Sequence, residues 1–282
     1  MVSVVIPVHN RRILVRQAIA SVLSQTYRNF ELIIADDASD DGIEEDALWW
    51  KSDNRIRYLR IERSGFPGAV RNFGVSEARG EWVAFLDSDD LWYPRKLDIQ
   101  MNCLAREPGL RCIHARETWL RGERVVSQAS QRHKRTGDIF ADALRKCIIG
   151  PSTVVLERRL FNELGGFRDD LEIAEDYELW LRLTARFPVA YVDEPLVVKR
   201  SGHGMSQLSE TYGHIEGFRI TALEHLLQSS WLEDDPVRRA AAERELVRKC
   251  AIFASGARKR GNIAEAERCE AAAAAFSRDR HS

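Results

Sequence analysis

No stretch of this 282-residue chain approaches the roughly 20 consecutive apolar residues of a membrane-spanning helix. The longest apolar runs, such as Val2 to Val8, are strand-sized and broken by Ser3 and Pro7. The N-terminus also lacks the basic segment, longer apolar core and small-residue cleavage site of a secretory signal, so secretion is not expected. Cysteine is sparse. Cys103, Cys112, Cys147, Cys250 and Cys269 are odd in number, widely spaced and without a CxxC pair, which argues against a disulfide framework or zinc ribbon and for a reducing cytoplasm. Neither charge is in excess, with 42 Lys and Arg against 43 Asp and Glu, and a generic nucleic-acid binder is therefore not expected. GxGxxG and GxxxxGK[ST] are both missing, which removes the main support for dinucleotide and P-loop readings. A hydrophobic content of 44% describes a soluble, folded chain long enough for one large domain or two small ones.

The first hundred residues alternate strand-like and helix-like segments. Val2 to Val8 is a β-branched run, Leu14, Ala18 and Val22 recur at helical spacing, and Phe30 to Ala35, apolar but for Glu31, again reads as a strand. Ile56 to Ile61 and Trp82 to Leu86 read as strands, Ala69 to Ala78 as a helix, and Tyr93 to Leu104 as a helix entered through Pro94. This rhythm predicts a Rossmann-like, mostly parallel central α/β sheet covered by helices. From about Leu110 the pattern is mixed, with strand-like pieces Leu110 to His114, Ser152 to Leu156, Val189 to Val192 and Leu196 to Lys199, and a helix from Glu175 to Arg186. After Glu210 the composition turns to Ala, Leu, Arg and Glu, and three helices are expected over Tyr212 to Gln228, Pro236 to Ala257 and Ile263 to Phe276. The expected organisation is a domain over 1–210, with a nucleotide-binding half (1–100) and an acceptor-binding half (101–210), then a helical C-terminal extension (211–282).

In open sheets of this kind ligands sit beyond the carboxyl ends of the strands, and here three strands end in polar clusters. Asp36 to Gly42 is either a hydrated turn or a ligand site. A calcium loop counted from Asp37 fails, because Leu48 stands where the bidentate Glu belongs. What remains is a carboxylate pair able to accept from a base N–H or ribose hydroxyls. Asp87, Ser88, Asp89 and Asp90 place two carboxylates one residue apart, suited to a magnesium or manganese ion that also takes phosphate oxygens; the plain alternative is a helix cap before Pro94. Arg71 follows the flexible Gly65 to Gly68 and is either a phosphate contact or a surface cation. Asp176, near the first turn of its helix, is either favoured by the helix dipole or a general base. Lys199, Arg200 and His203 form a cationic cluster after a strand. Arg132, His133, Lys134 and Arg135 are a solvated charge run or a contact to an anionic group on an acceptor.

SVVIPVHN, DDASDDG, GAVRNFGVSEARGEWVAFLDSDDLWYP, GGF and AEDYELWLRL, in this order, resemble the family 2 glycosyltransferases, enzymes of the GT-A fold that use sugar nucleotides. The resemblance spans about Val2 to Ser206. It implies that Asp37 contacts the nucleobase with Asp36 supporting, that Pro7 and Val8 line the donor pocket, and that Arg71, Asp87, Ser88 and Asp89 face the donor. Asp89 is then the preferred metal ligand, with Asp87, and Asp176 the base of the ED motif. A GHxxS-like segment makes His203 a diphosphate or metal neighbour. Val70 stands where the family often has Ala, and Ala38 where Gly is common.

The function this implies is metal-dependent, inverting transfer of a sugar from a nucleotide diphosphate, with uridine diphosphate favoured, to a hydroxyl of a saccharide, lipid-linked or other acceptor. Mn2+ or Mg2+ would neutralise the departing diphosphate. Membrane-associated saccharide assembly is a family-level expectation and is compatible with peripheral docking through the C-terminal helices. Two rivals differ in what they release: a non-catalytic nucleotide-sugar binding module releases nothing, and a nucleotidyltransferase releases pyrophosphate.

Overall fold

The computed structural model describes residues 1–50, 52–127, 135–202 and 215–278. Its first half runs β1 (Val2–Val8), α1 (Arg12–Leu23), β2 (Phe30–Asp37), α2 (Ile43–Trp50), β3 (Ile56–Ile61), α3 (Pro67–Ser76), β4 (Trp82–Phe85), β5 (Leu91–Trp92) and α4 (Lys96–Arg106). There follow β6 (Cys112–Arg121), β7 (Arg124–Val126), α5 (Phe140–Arg145), β8 (Val155–Glu157), α6 (Arg158–Glu163), α7 (Glu175–Arg186) and β9 (Ala190–Ser201). Three helices complete the described chain: α8 (Ile215–Gln228), α9 (Pro236–Lys259) and α10 (Ile263–Arg278).

The strands form one sheet in the order β3-β2-β1-β4-β8-β6-β9-β5, with β7 paired to β6. The expected parallel arrangement holds over β3-β2-β1-β4; β2, β1 and most of β4 are buried on both faces, while the edge strand β3 is only partly covered. Beyond β4 the sheet is mixed: β8 enters antiparallel to both β4 and β6, while β6 and β9 run parallel. Two strand-like pieces expected separately, Val189 to Val192 and Leu196 to Lys199, are one strand. The polar interruption between them is absorbed as a bulge, because the register jumps from Ala115 opposite Val192 to Arg116 opposite Pro195. Ser152, expected in a strand, lies instead in a 3-10 turn, Pro151–Thr153, which turns its hydroxyl toward the acidic loop after β4. The helix expected from Tyr93 begins later, at Lys96.

Tyr212 to His214, expected at the start of the first C-terminal helix, lie outside the described residues; the three helices form over Ile215–Gln228, Pro236–Lys259 and Ile263–Arg278, as expected. They are not a detached appendage: Leu223, Leu227, Leu246 and Cys250 share a buried cluster with Phe140 and Leu144 of α5 and with Tyr177 and Leu181 of α7. All five cysteines are free thiols. No described helix is long and apolar enough to cross a membrane.

Two of the sequence motifs meet physically. Asn72 on α3 donates from Nδ2 to the carbonyl of Phe167 (2.7 Å) and accepts the Phe167 N–H on Oδ1 (2.9 Å). This amide clamp ties α3 to the Gly165-Gly166-Phe167 turn that leads into α7. Phe167 itself is buried among Phe85, Phe161 and Trp180. Asn72→Ala strands both backbone groups of Phe167 in the interior, and should lower unfolding free energy by about 2 to 3 kcal/mol in urea titrations. An unchanged midpoint would show that the clamp contributes nothing.

Candidate active site

The cavity arises where the sheet changes direction. β1 pairs with β2 as far as Val8 opposite Asp36, but with β4 only as far as Val5 opposite Phe85. Past Val5 the two strands part, and the chain has gone to opposite sides of β1 on leaving them, which opens a crevice at the carboxyl ends. Pro7 fits here because its missing N–H faces no partner on the β4 side. The crevice widens into a cavity of about 850 Å³ whose lining includes Pro7, Val8, Asp37, Arg71, Asp87, Ser88, Asp89 and Asp176. Four separate chain segments contribute carboxylates to this space, since Glu117 of β6 lines it too. His203 and the run Arg132, His133 and Lys134 lie outside the described residues.

Asp36 and Asp37 point to opposite faces of β2, as neighbours in a strand must. Asp36 is not in the cavity lining. It is wholly buried, accepting from Tyr58 Oη (2.6 Å), from the Ser39 N–H (3.1 Å) and from the Ser39 hydroxyl, and so it fixes the turn behind the cavity wall. Asp37 does reach the cavity. Its Oδ1 accepts the Ser64 N–H (2.6 Å), and its Oδ2 accepts the Gly65 N–H (3.1 Å) and pairs with Arg63. These bonds place the carboxylate at the mouth beside a half-exposed guanidinium.

The acidic loop after β4 is not a helix cap: α4 starts six residues beyond Asp90 with no side-chain cap. Asp90 anchors the loop, accepting from Ser152 Oγ (2.7 Å) and from the Arg200 N–H (3.1 Å). Burial, then the charges of Asp87 and Asp89, push its carboxyl well above the ordinary range, so it is the loop's protonatable member. Asp87 pairs with Arg71 (2.7 Å) and Asp89 with Arg11 (2.5 Å). Among the described residues no three His, Cys, Asp or Glu side chains gather to hold an ion by themselves. Asp87 and Asp89 do supply two carboxylates at the cavity. A magnesium-type ion takes that number when phosphate oxygens and water fill its remaining positions, so the donor set fits an ion shared with a diphosphate.

Arg71 lines the cavity but is not a spare cation. It is 5% exposed, and its two terminal nitrogens are committed to Asp87 and to Glu175 Oε1 (2.5 Å). One guanidinium cannot neutralise both the buried Glu175 and the half-buried Asp87. Burial would raise Asp87, but Arg71, Lys199 and Arg11 together hold it below the ordinary range. Glu175 has Asp176 as its neighbour instead, and burial pushes it up from 4.5 to about 7 despite Arg71. Lys199, from the cationic cluster after its strand, lines the same space; burial alone would lower it, yet Glu117, Asp90, Asp87 and Asp176 hold it above the usual lysine range. It remains an ammonium.

Asp176 opens α7 after Ala174, which adopts a left-handed conformation (φ 64°) as the helix N-cap. Among the described residues only Asn10, Ala38 and Ala174 combine positive φ with a side chain; Asn10 and Ala174 line the cavity and Ala38 follows Asp37. Backbone strain is thus concentrated around the site, at about 1 kcal/mol or more each. Asp176 Oδ1 accepts the Tyr177 N–H (2.6 Å), and Oδ2 accepts from the Cys147 thiol (3.4 Å). Ile215 and Arg219 of α8 also reach the cavity, a contribution no sequence signal announced. Glu175 gives a measurable signature. Its folded pKa, about 7, lies above its ordinary 4.5, so the native state holds the proton more tightly and stability falls as pH rises through that window. The loss should be on the order of 3 kcal/mol, and Glu175→Gln should flatten it in denaturant titrations run between those two pH values.

Comparison with known proteins agrees with this geometry. The family model described as Glycosyl transferase family 2 matches residues 3–165. An uncharacterized glycosyltransferase of Rickettsia felis is 32% identical over 82% of this chain, and the chain spans only 38% of that relative's length. The Escherichia coli UDP-Glc:alpha-D-GlcNAc-diphosphoundecaprenol beta-1,3-glucosyltransferase WfgD is 33% identical over 65% of the chain and 69% of its own length. Among solved structures, S. aureus TarS 1-349 in complex with UDP-GlcNAc aligns with TM-score 0.65 at 17% identity, over 95% of this chain and 90% of that one. The mannosyltransferase PcManGT of Pyrobaculum calidifontis, in complex with GDP-Man and Mn2+, aligns with TM-score 0.62 at 18% identity, over 99% and 87%. At such identities the structural likeness is one of fold. The match over residues 3–165 and the relatives above 30% identity place the chain in glycosyl transferase family 2, with a GT-A fold.

Proposed function

We propose that the protein transfers a sugar from a uridine diphosphate sugar to a hydroxyl of a lipid-linked or related saccharide, with inversion at the anomeric carbon. The observation that carries this reading is the convergence of Asp37, of Asp87 with Asp89, and of Asp176 on one cavity. The Escherichia coli relative is named for UDP-Glc and the S. aureus structure holds UDP-GlcNAc, which supports the choice of nucleotide.

Each side chain then has a task set by its position. Asp37 accepts the base N–H at the mouth while Pro7 and Val8 form the apolar wall. Asp89, with Asp87 and Ser88 beside it, faces the diphosphate and would hold a divalent ion there. Such an ion, when bound, supplies charge neutralisation for the leaving group, and the Mn2+ bound with GDP-Man in the Pyrobaculum mannosyltransferase supports this choice. Lys199 adds a fixed ammonium in the same region. Asp176 takes the proton of the acceptor hydroxyl as its oxygen bonds to the anomeric carbon. The bond to the diphosphate breaks and the electron pair leaves with uridine diphosphate. A single displacement of this kind inverts the centre. Arg71 acts through others, holding the acidic loop against the ED helix.

The test is a panel of nucleotide sugars with manganese or magnesium, scored by release of free nucleoside diphosphate. Asp176→Asn should keep donor affinity by calorimetry and lose turnover about a hundredfold or more; full turnover in that variant would remove the base. Asp89→Ala should abolish the stimulation by metal with its thermal unfolding unchanged within a few degrees. Release of pyrophosphate in place of the nucleoside diphosphate would overturn the reaction class.

A further inference from the structure

Three cations on the Asp176 side of the cavity have no task in the mechanism above: Arg219, Lys146 and Arg135. They are brought there by construction. Tyr177, next to Asp176, donates from its hydroxyl to the carbonyl of Leu144 (2.5 Å), and Lys249 on α9 donates to the carbonyl of Arg145 (3.1 Å). The end of α5 is thereby pinned between the ED helix and the C-terminal helices, and Lys146 and Cys147 follow directly. Arg219 reaches in from α8, with its guanidinium 5.7 Å over the Tyr177 ring. Arg135 is held by Tyr191 Oη (2.9 Å).

The salt-bridge chain that runs back from Arg219 carries one more cation than carboxylate. Arg219 is paired with Glu216, but Glu216 is also paired with Lys249 (2.9 Å), which shares Glu245 with Arg248. Charges alternate along this chain from Arg219 to Arg248, and both ends are positive, with Arg219 the end at the cavity. Arg219 Nε is buried and has no hydrogen-bond acceptor among the described residues. Burial and the neighbouring Arg135 lower Lys146, which only Asp142 opposes. A set of crowded cations with an unsatisfied donor is completed by an anion.

Resting on the glycosyl-transfer reading, we propose that Arg219, Lys146 and Arg135 form an anion subsite for a phosphoryl group on the acceptor, as in a sugar 1-diphosphate whose own hydroxyl is presented to Asp176. The donor's diphosphate is served by the acidic loop after β4. The C-terminal helices are therefore part of acceptor recognition, since Arg219 and the salt-bridge chain behind it come from them.

The experiment compares the same sugars offered to the full chain as neutral alkyl glycosides, as alkyl phosphodiesters and as alkyl-linked 1-diphosphates, with kcat and KM determined separately. Wild-type protein should prefer the phosphoryl acceptors by about tenfold or more in kcat/KM. Lys146→Ala and Arg219→Ala should each shrink that preference about tenfold through acceptor KM, with Arg219→Lys recovering part of it. Uridine diphosphate affinity, measured by calorimetry, should stay within about twofold in all three. If Arg219→Ala does not fold, Lys146→Ala and Arg219→Lys carry the comparison. Equal use of both phosphoryl acceptors assigns the subsite to a single phosphate, and preference for the diphosphate assigns it to a carrier-linked sugar; both support it. Indifference to phosphate in wild-type protein, or variants that lose uridine diphosphate affinity in place of acceptor affinity, would overturn it. Absence of transfer from every donor would instead overturn the reaction reading on which it rests.

Discussion

A single buried guanidinium holds the site together. Arg71 joins Asp87, 16 residues later, to Glu175, 104 residues later, and so fixes the acidic loop after β4 against the helix that carries Asp176. Two carboxylates on one cation leave the interior short of positive charge, and the structure answers with Lys199 and Arg11 near Asp87 and with a Glu175 that titrates near neutrality. The arrangement is a poor device for stability alone, because buried ion pairs recover little of their desolvation cost. It is a good device for fixing two chemical groups at one distance, and the Asn72 clamp to Phe167 reinforces it from one residue away.

The backbone supplies the space that these charges surround. β1 loses its β4 partner after Val5, and Asn10, Asp37, Arg63 and Asp87 to Asp90, from the ends of four parallel strands, face one opening. Left-handed Asn10, Ala38 and Ala174 turn the chain sharply at its rim, where side chains must be aimed and not merely packed. The second half of the sheet and the C-terminal helices close the far side. The cavity is therefore shared between the parallel nucleotide-type half and the mixed half.

The sequence disclosed most of this because its signals were local. Val2 to Val8 and Phe30 to Ala35 are mostly β-branched or apolar, interrupted only by Ser3, Pro7 and Glu31, and Glu175 to Arg186 has a clean helical pattern; all three appear where periodicity places them. The acidic pairs were visible because carboxylates at strand ends are rarely idle. Their partners were not visible. Nothing local says that Arg71 is bound on both sides, that Asp36 turns away from the cavity while Asp37 faces it, or that Arg11 meets Asp89; each depends on which strand lies beside which. Ser152 reads as a strand residue for the same reason, since its role in the acidic loop is a contact over 62 residues. Arg219 carries no sequence signature, because a helix rich in Ala, Leu and Glu reads alike whether it borders a site or not.

Everything in this picture requires that one ligand span these separate segments. A crystal of the full chain grown with uridine diphosphate and manganese, with data collected at the manganese absorption edge, addresses this directly. An anomalous peak is expected beside Asp89, between the acidic loop and the diphosphate, with the uracil ring against Asp37. Density for the nucleotide at any other place on the molecule, or manganese bound away from Asp87 and Asp89, would contradict it.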